Sequence, residues 1–179
     1  MSTRMTMVAK ILDGKACAAA VEESLKERIS KCQVAGITPH IAVIIVGDDP
    51  ASHVYVGAKI RACDRLGIKS THIEMPESSK ETELIEVIKE LNNDNSVHGI
   101  LIQSPLPNHM NEELLTDLID PLKDVDGFHP VNLGRLVQSR DDCLIPCTPN
   151  GVMRLLDWAG IDTKGKQALV IGRSRNVGM

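Results

Sequence analysis

The chain has 179 residues, 42% hydrophobic and 25% charged, with a formal net charge of −4. This is ordinary globular composition, enough to bury a real core, and it carries no basic footprint for nucleic acid or anionic membrane. With one Tyr, one Phe and one Trp, the chain also lacks the rings a base-stacking platform needs.

In chain order, Val8 to Leu12 reads as a short strand, closed by Asp13-Gly14. Lys15 to Cys32 reads as a helix with Ala18, Val21, Leu25 and Ile29 on one face. Ile41 to Val46 is an unbroken apolar run, the signature of a strand buried on both faces. After the turn Gly47-Asp48-Asp49-Pro50, Ala51 to Leu66 is expected to be a helix ended by Gly67. A third strand follows at Ile68 to Met75, then a helix at Lys80 to Asn93 carrying Leu84, Ile85, Ile88 and Leu91. A fourth strand, Val97 to Gln103, stops at Pro105 and Pro107, and Asn111 to Ile119 makes a short helix. The pattern loosens from Pro121 to Pro149, which reads as an inter-domain connection. Gly151 to Ala159 reads as a helix and Gln167 to Ile171 as a new buried strand, with Gly172 opening a turn. Such βαβα repetition predicts a three-layer α/β domain with a mostly parallel sheet.

Because a dinucleotide-binding βαβ unit takes about 30 residues or more, the strand and turn at 167–172 are expected to open a unit that this chain does not complete. The segment Met1 to Lys10 lacks the apolar centre of a signal peptide. The run Ile41 to Val46 is too short to span a bilayer. The five cysteines are an odd number without CxxC pairing, and Cys143 and Cys147 have no second pair to complete a zinc site. Reduced thiols, no metal, a cytoplasmic location and no membrane partner are the expectations.

Four segments are candidates for chemistry. On the helix at 51–66, Val54, Ala58, Ala62 and Leu66 form an apolar ladder expected to face the core, with Tyr55 and Lys59 one residue round from it. A lysine half-desolvated beside a phenol is a proton carrier in waiting; spacing alone favours a surface pair. The order of motifs excludes short-chain dehydrogenases, whose glycine-rich turn precedes their Tyr-x-x-x-Lys. Gln103 lies at a strand's carboxyl end, where ligands of α/β sheets gather, and the Ser104–Pro105 bond beside it is a candidate for cis. In Lys123-Asp124-Val125-Asp126-Gly127-Phe128 the calcium-loop pattern is incomplete. Asp126 suits a ligand's amino and ring N–H groups, although a plain turn fits as well. Finally, Gly172-Arg173-Ser174, with Gly178 after it, departs from G-x-G-x-x-G yet keeps its logic. Gly172 allows the turn, Ser174 a close approach to phosphate, Gly178 close helix packing, and Arg173 a charge for a 2′-phosphate, which favours NADP.

In order, Val46 to Ser52 running into Tyr55-Val56-Gly57-Ala58-Lys59, Gly99 to Gln103 with Pro105-Leu106-Pro107, Pro121 to Phe128, Pro146-Cys147-Thr148-Pro149 and Val170 to Ser174 resemble the bifunctional methylenetetrahydrofolate dehydrogenase/methenyltetrahydrofolate cyclohydrolase family. The resemblance runs from about Ile11 onward. It implies that Lys59 handles the proton of the cyclohydrolase step, that Tyr55 positions it and packs on folate, and that Gln103 helps set its protonation. Asp126 would anchor the pterin, and Gly172, Arg173 and Ser174 would begin the NADP site. Ser104 is a departure, since leucine is more usual there. The implied division is a folate-binding catalytic domain and linker over 1–149 and the beginning of a Rossmann-like NADP domain over 150–179. The implied partners are a folate substrate and, at full length, a second copy in a homodimer. About a hundred further residues would complete the second domain. The 179-residue species is therefore expected to bind NADP poorly and to lack dehydrogenase activity, which full hydride-transfer turnover would refute. Rival readings are a shikimate- or amino-acid-dehydrogenase-like NADP oxidoreductase and a folate-binding fragment without activity.

Overall fold

The computed structural model describes residues 9–174, 177 and 178. Its centre is a parallel three-stranded sheet in the order β2-β1-β3, built from β1 (His40–Val46), β2 (Lys69–Met75) and β3 (Gly99–Ile102). The helices among the described residues are α1 (Gly14–Val34), α2 (Pro50–Leu66), α3 (Glu81–Asn93), α4 (Glu112–Asp117), α5 (Pro130–Val137) and α6 (Cys147–Trp158), of which α2, α3 and α4 supply the residues packed on the sheet.

Alternation along β1 sorts its side chains to two faces. Ala42, Ile44 and Val46, with Ile100 and Ile102 of β3, pack on Leu84, Ile88 and Leu91 of α3 and Leu115 of α4. Val43 and Ile45, with Leu101, pack instead on Val56 and Ile60 of α2. The unbroken apolar run is therefore explained by a strand that has helices on both sides, and the result is the three-layer α/β arrangement expected.

Helix ends follow their local chemistry. Asp49 caps α2 by accepting from the Ser52 amide at 2.8 Å, Pro50 occupies the first turn, and Gly67 ends the helix in the left-handed region at φ 71°. The Glu83 carboxylate reaches back to the Lys80 amide at 2.8 Å to start α3. At the other end of α3, the Lys123 ammonium donates to the carbonyls of Leu91, Asn92 and Asp94 at 2.8–2.9 Å. A cation is stabilised there by the negative end of the helix.

Several expectations are corrected. Residues 9–12 form no strand, and Val8 lies outside the described residues. On α1 only Cys17 and Ile29 are buried, so Ala18 and Val21 are not part of a core face. The stretch from Pro121 to Pro149 carries more regular structure than expected. Asp124 bridges Ile100 of β3 in parallel fashion, and α5 follows inside the same body. Residues 167–171 form no strand and are exposed, Ile171 at 92%. An apolar run becomes a strand only where a neighbour supplies the ladder, and none of the described residues does so here.

Candidate active site

The sheet's carboxyl end is fixed by main-chain bonds that extend the ladder past the strands. Gly47 N donates to Met75 O at 2.8 Å, and Gln103 N to Ile44 O at 2.9 Å. Gln103 is thus held at a strand terminus, half-buried, where its side chain turns toward α2. There Lys59 Nζ donates to Gln103 Oε1 at 3.1 Å, and Gln103 Nε2 donates to Ser104 O at 2.7 Å. The Ser104–Pro105 peptide is cis.

The ladder expected to bury α2 is the wrong one. Val54 is 69% exposed, whereas Val56, two residues on, is 3% exposed and sits under the sheet with Ser52 and the half-buried Ile60. The helix is therefore rotated so that Lys59, next to Ile60, lies at the margin of the buried stripe, while Tyr55 projects outward at 65% exposure. The phenol makes no hydrogen bond to Lys59, so nothing in this structure gives Tyr55 the part of holding the amine.

The two carboxylates that flank Val125 have different duties. Asp124 is buried and saturated. Its Oδ1 accepts from Gly127 N at 3.1 Å, and its Oδ2 accepts from His129 N at 2.8 Å and Asn132 Nδ2 at 3.0 Å. Asn132, also buried, passes the network on to Pro121 O and the Leu144 amide. Asp124 is a structural anchor, and it leaves Asp126 as the carboxylate available to a ligand. Burial pushes the Asp126 carboxyl above the ordinary carboxylate range; the nearby Lys59 charge opposes this and the Asp124 charge adds to it.

Gly127 brings a further side chain to the site. It has φ 71°, and a Cβ there would stand 2.6 Å from the Ile145 and Pro146 backbone. That close approach delivers Cys147, at the start of α6, to the same corner, where its thiol donates to Val125 O at 3.2 Å. Burial raises the thiol's pKa, with the Asp126 charge adding and the Lys59 charge opposing. Cys147 is the site residue that sequence reasoning missed; the available signal was its place in Pro146-Cys147-Thr148-Pro149 between two other motif stretches.

Lys59, Gln103, Asp126 and Cys147 thus meet at one corner of the sheet's carboxyl end, and Tyr55 stands at its outer edge. Two family models match the chain: the catalytic domain of tetrahydrofolate dehydrogenase/cyclohydrolase over residues 12–126, and the NAD(P)-binding domain of the same enzymes over residues 146–179. The chain belongs to the tetrahydrofolate dehydrogenase/cyclohydrolase family. Among its relatives, the bifunctional protein FolD of Moorella thermoacetica is 51% identical over 172 residues, which is 96% of this chain and 61% of the relative. The FolD of Ruminiclostridium cellulolyticum is likewise 51% identical, covering 96% of this chain and 60% of that one. The chain therefore spans about three fifths of the length of the curated relatives it matches.

Solved structures agree. The bifunctional dehydrogenase/cyclohydrolase of Campylobacter jejuni superposes with a TM-score of 0.92 at 47% identity, over 94% of this chain and 60% of that one. The Trypanosoma brucei enzyme, described as complexed with NADP cofactor and inhibitor, gives 0.89 at 32% identity, over 95% and 58%.

Gly172, Arg173 and Ser174 lie far along the chain from this corner, in the segment that matches the family's NAD(P)-binding domain. Ser174 O accepts from the Val177 and Gly178 amides at 3.4 and 2.8 Å. A Cβ at Gly178 would stand 2.4 Å from Gly172 C and Arg173 N. Gly178 is thus packed so tightly against Gly172 and Arg173 that only glycine fits there. Arg175 and Asn176 lie outside the described residues. Among the described residues, no group of His, Cys, Asp or Glu is arranged to hold a metal ion, and no helix is long and apolar enough to cross a membrane.

Proposed function

We propose that this chain provides the folate-binding side of an enzyme that oxidises 5,10-methylenetetrahydrofolate with NADP and hydrolyses the resulting methenyl compound to 10-formyltetrahydrofolate. The observation that carries the reading is the Lys59 ammonium donating to Gln103 Oε1 at 3.1 Å with the half-buried Asp126 beside it. The domain division at 149/150, a homodimer at full length and a cytoplasmic location belong to the same proposal.

Asp126 is suited to the pterin's amino and ring N–H donors. A carboxylate short of solvent accepts strongly from such groups, and the two parallel bonds fix the heterocycle's orientation. With the ring so held, the one-carbon bridge faces Lys59 and Gln103. In the hydrolytic step, water adds to the methenyl carbon and loses a proton, and the ring opens to the formyl product. Lys59 moves that proton, while Gln103 holds the amine in line with the reacting carbon. Tyr55, outward on α2, offers its ring to the folate's face. Gly172, Arg173 and Ser174 would hold the phosphates of NADP, which when bound supplies the acceptor for the hydride leaving the methylene carbon. The closed turn at Gly178 is the feature that fits this group.

The test is Lys59→Met in a protein of the relatives' full length that carries this segment. Cyclohydrolase turnover should fall by about a hundredfold or more, the typical contribution of a positioned proton carrier, while binding of methenyltetrahydrofolate persists. Undiminished turnover would overturn the assignment.

A further inference from the structure

The amide of Gln103 presents its oxygen, and not its nitrogen, to Lys59, and the cause lies in the residues that follow it. The two ends of an amide have opposite hydrogen-bonding character. An oxygen toward Lys59 accepts from its amine, whereas a flipped amide would point an N–H at it and lose that bond. The flip is opposed because Gln103 Nε2 is already spent on the Ser104 carbonyl at 2.7 Å.

The residue that carries this carbonyl is itself held from two helices. Ser104 Oγ donates to Glu112 Oε1 of α4 at 2.6 Å, a short charge-assisted bond. The other oxygen of Glu112 lies 3.5 Å from the Leu106 amide, so one carboxylate spans the loop. From α2, Ser52 Oγ approaches the Ser104 carbonyl at 3.5 Å while bonded at 2.8 Å to Asp49. Ser104, Glu112 and Asp126 also line one narrow cleft beneath the site. The Lys59 charge also acts on the Asp126 carboxyl and the Cys147 thiol, lowering both against the effect of burial. Neither group decides which end of the Gln103 amide faces Lys59.

We propose that Ser104 and Glu112 are positioning residues, a hydrogen-bonded brace that fixes the Ser104 carbonyl, turns the Gln103 oxygen toward Lys59 and so holds that amine in place. The brace rests on reading Lys59 as the proton carrier, and it adds to that reading the two side chains that set the carrier's position. Glu112 is exposed and Ser104 lies in a loop, so their removal leaves the core intact.

Ser104→Ala, Glu112→Ala and the conservative Ser104→Thr test it in the 179-residue chain, with thermal unfolding as the check on folding. In nitrogen-edited NMR the Gln103 side-chain NH2 signals should shift in both alanine variants. Acylation of Lys59 by acetic anhydride at mildly alkaline pH, read by peptide mass mapping, should accelerate about threefold or more as the amine is released from the Gln103 oxygen. Ser104→Thr, which keeps the hydroxyl, should restore both readouts. Alanine variants with wild-type Gln103 signals and a wild-type acylation rate would overturn the brace. Neither readout uses folate. A chain that responds as described but fails to bind methenyltetrahydrofolate upholds the brace and overturns the folate reading instead.

Discussion

Two stretches of this chain are nearly alike on paper and opposite in the fold. Ile41 to Val46 and Gln167 to Ile171 are both short apolar runs with β-branched residues. The first is the central strand of a parallel sheet, with Ala42 and Ile44 fully buried; in the second, Leu169 and Ile171 are almost fully exposed. β1 has a strand on each edge and a helix layer on each face, and 167–171 has neither among the described residues. Burial of a parallel strand is thus a property of its neighbours. The run itself is only permission.

The sharpest way to break that contrast is to truncate one side chain in each stretch. Ile44→Ala should cost about 4 kcal/mol of stability in a denaturant titration, the transfer term plus a cavity that helices on both sides cannot close. Ile171→Ala should stay within about 0.5 kcal/mol, as for surface sites generally. Comparable losses at the two positions would mean that 167–171 is covered in solution.

A second contrast is between the carboxylates that flank Val125. Asp124→Ala should cost about 3 kcal/mol by chemical unfolding, because the Gly127 and His129 amides and the Asn132 side chain would all lose their acceptor in a buried place. Asp126→Asn should go the other way, by a smaller amount. Its carboxyl titrates above the usual range because burial disfavours the charge, so ionised Asp126 costs folding free energy. That cost is complete above its raised titration range and disappears below the ordinary carboxylate pKa. The Asn variant should therefore melt higher than wild type at neutral pH, and the two should converge in acid. A neutral-pH melting point below wild type would show Asp126 to be a structural anchor like Asp124.

Where order is local, the sequence is a good guide. The helices at 50–66 and 81–93 and the strands at 69–75 and 99–102 follow from periodicity, a capping aspartate and a closing glycine, all short-range signals. The buried face of α2 does not follow, because ladders through Val54 and through Val56 have the same spacing and only the sheet decides between them. Helix α5 and the Asp124–Asn132 network are hidden for another reason. They are polar residues in a proline-rich stretch, and such a stretch looks like a connector until its partners are in place. In the site, Lys59, Gln103 and Asp126 are legible because the first lies within a recognisable helix, the second follows a strand and the third precedes a turn glycine. Cys147 and the Ser104–Glu112 pair are not, since what matters about them is contact with segments distant in the chain or around a turn.

The central claim is that the corner formed by Lys59, Gln103 and Asp126 receives a pterin. It is tested most directly by titrating the folded chain with 5,10-methenyltetrahydrofolate, wild type beside Asp126→Asn, by calorimetry. Saturable binding that weakens about tenfold or more in the variant is the predicted result, the loss of a charge-assisted pair of hydrogen bonds. Equal affinity in the two proteins, or no saturable binding by either, would contradict it.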